Sequence, residues 1–257
     1  MRTSLLFSPR LLLERVSARL NRRHRMRRLR GTCAHWLNEY QAESIELIEF
    51  AGKQGARVFY DIGANVGSWT VLCRALVPHS SIVAFEPLPG HCENFLVNTR
   101  KLRDVKLMPV ALGSREETRP FYPASFSDAG SFLPLGAEGS RAWNIRNEAP
   151  TPLRLTTLDL QIAAENLPRP DFIKLDVQGF ELEVLRGSLG ALRQASWILS
   201  EVSRIPFYEG QVLFSELSGF LGTHGFEVFA WSQTVRPGPM PEQIDVLFHR
   251  PEQAAPM

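Results

Sequence analysis

The run Asp61-Ile-Gly-Ala-Asn-Val-Gly67 follows an apolar stretch and opens a helical one. Glycines at such a turn let the backbone come close to a ligand with no Cβ in the way. Nineteen residues beyond Gly67 a second acid, Glu86, closes the next apolar run. An acid so placed can take both hydroxyls of a ribose. Asp61, ahead of the first glycine, would repel a pyrophosphate laid on the helix N-terminus and would suit an ammonium group. The dinucleotide pattern G-x-G-x-x-G also fails, because it needs glycines where Asn65 and Ser68 stand. Asp61, Gly63, Ala64, Asn65, Gly67 and Glu86, with Ala111 as a small floor for adenine at the end of the strand expected over 105–112, imply an adenosine ligand with an amine and no phosphate. That ligand is S-adenosylmethionine. The competing readings make Asp61 a helix cap and Glu86 a solvated strand end. A nicotinamide-dependent dehydrogenase is the other enzyme reading, against which the missing glycines argue.

A second constellation is Asp171-Phe-Ile-Lys-Leu-Asp-Val-Gln-Gly-Phe-Glu181. It places Lys174 and Asp176 on one side of a strand, with Asp176 near the carboxyl end, where open parallel sheets bind ligands. Asp176 is the first candidate for the base that takes a proton from an acceptor; the alternative is a residue that orders the turn. Lys174 holds Asp176 or a neighbouring carboxylate, or forms a structural ion pair. Glu201 ends the next strand and faces the same cleft, either binding acceptor hydroxyls or serving as the alternative base. Glu181, at a helix start, complements the helix dipole.

The elements that must position these residues follow an alternating rhythm. The chain has 257 residues, 44% hydrophobic and 22% charged, enough for one α/β domain without a second. Strands are predicted over 57–62, 81–85, 105–112, 171–177 and 197–202, with 226–231 and 244–248 forming a terminal hairpin. Helices are predicted over 36–50, from the glycine turn to residue 76, and over 91–102, 158–165, 181–191 and 214–221. This alternation reads as a parallel sheet. Residues 113–155 interrupt it with Pro, Gly, Ser and aromatics, and read as an insertion of irregular or short antiparallel structure that forms a lid or substrate wall.

Three cysteines without a C-x-x-C pair suggest neither a disulfide framework nor a thiolate metal site, and a reducing cytosol suits them. His79, His91, His224 and His249 lack ligand spacing and read as surface or core residues; no metal is assigned. Residues 1–30 carry ten Arg against one acid, Glu14, so the rest of the chain is net acidic. Leu12, Leu13, Val16 and Leu20 share one helical face there. This is a basic amphipathic arm, read either as a solvated arm or as an attachment to an anionic membrane surface, on an otherwise cytoplasmic protein. The arm lacks interleaved aromatics, which argues against a nucleic-acid partner. Residues 31–250 form the main domain and 251–257 a tail.

The chain resembles the FkbM family of S-adenosylmethionine-dependent methyltransferases, from about residue 58 to 248. The resemblance rests on the turn Asp61 to Gly67, Glu86-Pro87, Thr157-Leu158-Asp159, the segment Ile173 to Glu181, Leu185-Arg186-Gly187, and Glu201-Val-Ser leading to Tyr208-Glu209. Gln178 departs from it, standing where many members have Glu. The resemblance implies a Rossmann-like seven-stranded sheet, mostly parallel with an antiparallel last strand. It further implies methyl transfer to an oxygen, commonly a hydroxyl of a sugar or another polyhydroxylated small-molecule or glycan acceptor. The non-enzyme alternative is a membrane-surface binding protein with a vestigial cofactor fold.

Overall fold

The structure, a computed structural model, describes residues 23–232 and 242–251. The amphipathic helix expected from Ser8 and most of the expected tail lie outside the described residues. Seven strands form one sheet: β1 (Val58–Ile62), β2 (Ser81–Phe85), β3 (Val105–Met108), β7 (Phe172–Leu175), β8 (Trp197–Ser203), β9 (Glu227–Trp231) and β10 (Gln243–His249). Their order is β3-β2-β1-β7-β8-β10-β9, with β3 through β8 parallel and β10 antiparallel to both neighbours. This is the expected Rossmann-like sheet with an antiparallel last strand.

Alternation along each strand divides the core between the two faces. Tyr60, Ile62, Val83, Phe85, Ile173, Leu175 and Ile198 pack on one face, and Phe59, Ile82, Phe172, Trp197 and Leu199 on the other. The second face is covered by α1 (Ile45–Lys53) and α2 (Ser68–Leu76), which bury Ile45, Ile48, Val71 and Leu72 against it. Asp171 ties β7 to β1 at their starts, its Oδ2 accepting from the backbone N–H groups of Arg57 and Val58.

Several elements differ from the sequence reading, each for a local reason. The helix predicted over 36–50 begins only at Ile45, because the Asn38 side chain accepts from the backbone of Tyr40 and Gln41 and holds a turn there. Pro89 starts α3 (Pro89–Thr99) two residues before the predicted His91. The strand predicted over 105–112 is two strands. Pro109 separates β3 from β4 (Ala111–Leu112), which leaves the main sheet to join β6 (Thr151–Thr156). The helix predicted over 181–191 breaks at Gly187 into α6 (Glu181–Arg186) and α7 (Leu189–Leu192). Here Gly187 passes so near the Gly113 carbonyl that a Cβ would lie 2.0 Å from its oxygen. Asp159 caps α7, accepting from Gly190 N and Ala191 N, while Thr157 caps α5 (Leu158–Glu165) and Leu158 is fully buried. The Thr-Leu-Asp step is thus a double cap with a core anchor between.

The insertion carries β5 (Glu117–Phe121), a 3₁₀ turn (Ser127–Ala129), α4 (Ala137–Trp143) and β6. Its small sheet, β4-β6-β5, pairs β4 with β6 in parallel and β5 with β6 antiparallel. At the other end of the chain, residues 23–29 are helical and anchored: Leu29 is buried, Arg25 forms a bidentate pair with Glu46, and Arg28 pairs with Glu49. Among the described residues no helix is long and apolar enough to cross a membrane.

Candidate functional site

The carboxyl ends of β1, β2, β7 and β8 open onto one cavity of about 630 Å³. On its donor side the turn after β1 crosses to β2, with Gly63 N and Ala64 N both donating to Phe85 O. Gly63 has φ +77°, and a Cβ there would lie 1.9 Å from Asp176 O, so the turn is pressed against the end of β7. Gly67 has φ +85° and leaves room for Phe95 of α3, 2.8 Å from where its Cβ would be. The two glycines are therefore required by protein neighbours. Glu86 is 5% exposed and lines the cavity; Oε2 accepts from Asn65 N and Oε1 from Leu88 N, each at 2.9 Å. His91, read from sequence as surface or core, instead lines the cavity with Nδ1 3.4 Å from Glu86 Oε1, and that contact raises its pKa. Gly63, Ala64, Asn65 and Ala111 also line the cavity, Ala111 from the small sheet rather than from the end of β3.

Asp61 and Gly67 lie behind this wall. Asp61 faces Lys174 across the β1–β7 pairing and is fully buried, with Oδ1 3.0 Å from Lys174 Nζ and Oδ2 accepting from Thr70 Oγ1 at 2.7 Å. Lys174 Nζ also donates to Gly63 O at 3.0 Å and lies 3.6 Å from Asp176 Oδ2. Burial opposes the lysine charge, but Asp61 and Asp176 more than offset it and hold its pKa above the usual range.

The acid side brings together Asp176 and Glu201 as the sequence suggested, with partners it did not single out. Gln178 Nε2 donates to Asp176 Oδ1 at 2.7 Å and to Glu201 Oε2 at 3.3 Å. Gln243 Nε2 also donates to Glu201 Oε2, at 3.1 Å. Tyr208 O–H lies 2.8 Å from Gln178 Oε1. Asp245 stands opposite Glu201 in the β8–β10 register, so like charges meet across strands. Burial, then Asp176, Asp245 and Glu181, push Glu201 well above the usual carboxylate range. Burial, then Asp176 and Glu43, push Asp245 up to about 7. Glu181 is buried, its Oε1 accepting from Val177 N and Gly179 N, and burial pushes it up to about 7 as well. It is the strut of the 177–180 turn more than a dipole partner. Gln243, Asp245 and Tyr208 reach the site only through strand pairing and loop packing; the left-handed turn at Gln178-Gly179 was the one local signal.

Among the described residues, the wall holds six carboxylates, Glu43, Glu86, Asp128, Asp176, Glu201 and Asp245, against Lys174 and His91. Lys174 is already committed to Asp61 and to Gly63 O. A pyrophosphate would meet six acids with only His91, itself beside Glu86, to balance them, whereas a cofactor with a sulfonium and an ammonium is favoured by the field. Phe85, Leu88 and Val110 supply apolar wall beside Glu86 for a purine nucleoside. These residues fit S-adenosylmethionine. No three His, Cys, Asp or Glu side chains among the described residues could hold a metal ion.

The chain is similar in sequence or fold to several known proteins. The hexuronic acid methyltransferase AglP of Haloferax volcanii is 25% identical over 146 residues, 56% of this chain and 55% of that protein. The chain thus spans about half the length of AglP. The 2-O-methyltransferase NoeI of Sinorhizobium fredii is 29% identical over 163 residues, 60% of this chain and 67% of that protein. Among solved structures, magnesium protoporphyrin IX methyltransferase (ChlM) from Synechocystis PCC 6803, with bound S-adenosylmethionine, aligns with a TM-score of 0.48 at 11% identity over 82% of this chain and 79% of that one. The family description "Methyltransferase FkbM domain" matches residues 61–228. That match runs from the buried acid of the donor turn to the outer hairpin strand, and the chain belongs to the FkbM family of S-adenosylmethionine-dependent methyltransferases.

Proposed function

We propose that the chain is an O-methyltransferase whose acceptor is an uncharged hydroxyl of a sugar or other polyhydroxylated molecule. The observation that carries the reading is the pair Asp176 and Glu201, adjacent on the cavity wall across from Glu86. Bound S-adenosylmethionine supplies an electrophilic methyl group on a sulfonium. The protein's part is to align the acceptor oxygen with that methyl, exclude water and remove the hydroxyl proton. Alignment contributes up to roughly 7 to 11 kcal/mol, and a positioned base on the order of 10² to 10⁴-fold. Asp176 is the proton acceptor in this reading: its side chain is 39% exposed, toward the cavity, with one oxygen bound by Gln178 and the other 3.6 Å from Lys174. Glu201, deeper and held at a raised pKa, accepts a hydrogen bond from a second hydroxyl of the same acceptor. The turn at Gly63 to Asn65, Glu86 and Ala111 hold the donor, while Asp61 and Gly67 act from behind the wall by fixing Lys174 and the turn.

AglP and NoeI support an oxygen acceptor. The acid-rich wall speaks against an acceptor that itself bears a carboxylate, so neutral polyols are expected to outcompete uronic acids. The test is tritiated-methyl transfer against neutral glycans, uronic acids, lipids and small hydroxylated metabolites, alongside thermal stabilisation by S-adenosylhomocysteine. A labelled neutral polyol is the expected result. Stabilisation with no labelled acceptor would leave a binding protein with a vestigial cofactor fold, and labelling confined to uronic acids would overturn the charge argument.

A further inference from the structure

We propose that Tyr208 and Gln178 act as a pair of positioning residues, the Tyr208 hydroxyl fixing the Gln178 amide so that its NH₂ bridges Asp176 and Glu201. The inference deepens the acid-side reading above and rests on it. A carboxamide can meet two carboxylates only with its nitrogen toward them, since the flipped amide would set oxygen against oxygen. The nitrogen is donated twice, at 2.7 Å to Asp176 Oδ1 and at 3.3 Å to Glu201 Oε2, which leaves Oε1 on the far side. There Tyr208 O–H meets it at 2.8 Å, nearer than its other acceptor, Ala129 O, at 3.1 Å. Tyr208 is 1% exposed and its ring lies 5.9 Å from that of Trp143, so the phenol has little freedom to follow a moving amide.

The backbone pays for this arrangement in strain. Gln178 has φ +56°, a left-handed conformation that a non-glycine residue keeps only where its surroundings over-determine it. They do: Ser131 Oγ donates to Gln178 O at 2.7 Å, and Glu181 Oε1 accepts from the residues on either side of Gln178. Ser131 and Ala129 belong to the insertion, so the amide is clamped between the lid and the sheet. An amide that neutralises none of the charge still stabilises both charged carboxylates by donation. Without it, Asp176 and Glu201 would face each other, Asp245 and Glu181, with Lys174 as their nearest cation and Asp61 competing for it.

The expected signature is in proton affinity. Tyr208→Phe keeps the ring and its packing but frees the amide. Without the Tyr208 hydrogen bond the amide can turn its nitrogen away from the carboxylates, which should raise the titration midpoints of Glu201 and of the acids that share its charge by about one pH unit. Side-chain carboxyl NMR of the full chain reads those midpoints with no acceptor present, and S-adenosylhomocysteine affinity, which a structural collapse would lower, should stay within about twofold. Gln178→Leu should give a larger upward shift. Gln178→Glu should raise the midpoints further by adding a third acid, so its transfer activity should need a higher pH than that of Gln178→Leu. Unchanged midpoints in Tyr208→Phe would overturn the pairing, as would equal shifts in a control such as Trp143→Phe. If Asp176→Asn and Glu201→Gln both transfer methyl groups at the wild-type rate, the acid-side reading itself fails, whatever Tyr208→Phe does.

Discussion

The two halves of the cavity handle negative charge in opposite ways. On the donor half, Glu86 is met by two backbone N–H groups and a histidine of its own, with Asp61 behind the wall on Lys174 and Thr70. On the acid half, Asp176 and Glu201 share one amide, that of Gln178, and Glu201, Asp245 and Glu181 have raised pKa values. Acids with their own donors make a rigid recognition surface, whereas acids that share donors make a place where protons are easily taken up and released. In the function proposed above, the contrast separates donor binding from proton transfer within one 630 Å³ space.

The sharpest way to break this contrast is Asp176→Asn. It should lower kcat/KM by about 10² to 10⁴-fold while S-adenosylhomocysteine affinity, measured by calorimetry, stays the same. A matching loss of affinity would mean that the two halves are not separable. Asp61→Ala should instead cost stability, on the order of 3 to 5 kcal/mol by denaturant unfolding, because it leaves Lys174 buried without its main partner. The double variant Asp61→Ala with Lys174→Met should recover much of that loss; no recovery would give Asp61 a role beyond the ion pair. Glu86→Gln is expected to weaken S-adenosylhomocysteine binding by about 10 to 100-fold with kcat at saturating donor nearly unchanged, since it removes charge-assisted hydrogen bonds without touching the acid half.

The smallest effect is on the pH dependence of stability. Glu181 has its pKa raised from 4.5 to about 7, so between those values the folded chain holds a proton that the unfolded chain has released. Stability conferred by this group is full below the unfolded value and is lost as pH rises through the folded one. Thermal midpoints of wild type should therefore fall relative to Glu181→Gln between about pH 4 and about pH 7, and run parallel above that. A difference that does not vary with pH would show that the 177–180 turn does not bury a titrating acid.

The alternation of strands and helices and both acid-bearing turns were legible because strand length, glycine position and carboxyl-end acids are local signals. The network around them was not. For Lys174 the sequence leaves open Asp176, a neighbouring carboxylate or a structural ion pair; its nearer partner is Asp61, which sits 113 residues earlier and meets it only through the β1–β7 register. Asp245 opposes Glu201 for the same reason across β8 and β10. His91 looked isolated because Glu86, five residues before it, folds back over the start of α3. Ala111 was expected at the end of β3, but Pro109 sends the chain into another sheet that still returns it to the cavity. Except for His91, the missing information was a long-range pairing.

The contact of Gly187 with the Gly113 carbonyl sets a mechanical boundary condition on everything above it. Where two backbones touch with no side chain between them, there is no compressible layer, and the small sheet is seated on the main body like a keystone. Beyond that seat the stretch from Tyr122 to Gly136 is laced to the body by separate threads, among them Asn65 to Asp128, Ser131 to the Gln178 carbonyl and Gly136 N to Phe207 O.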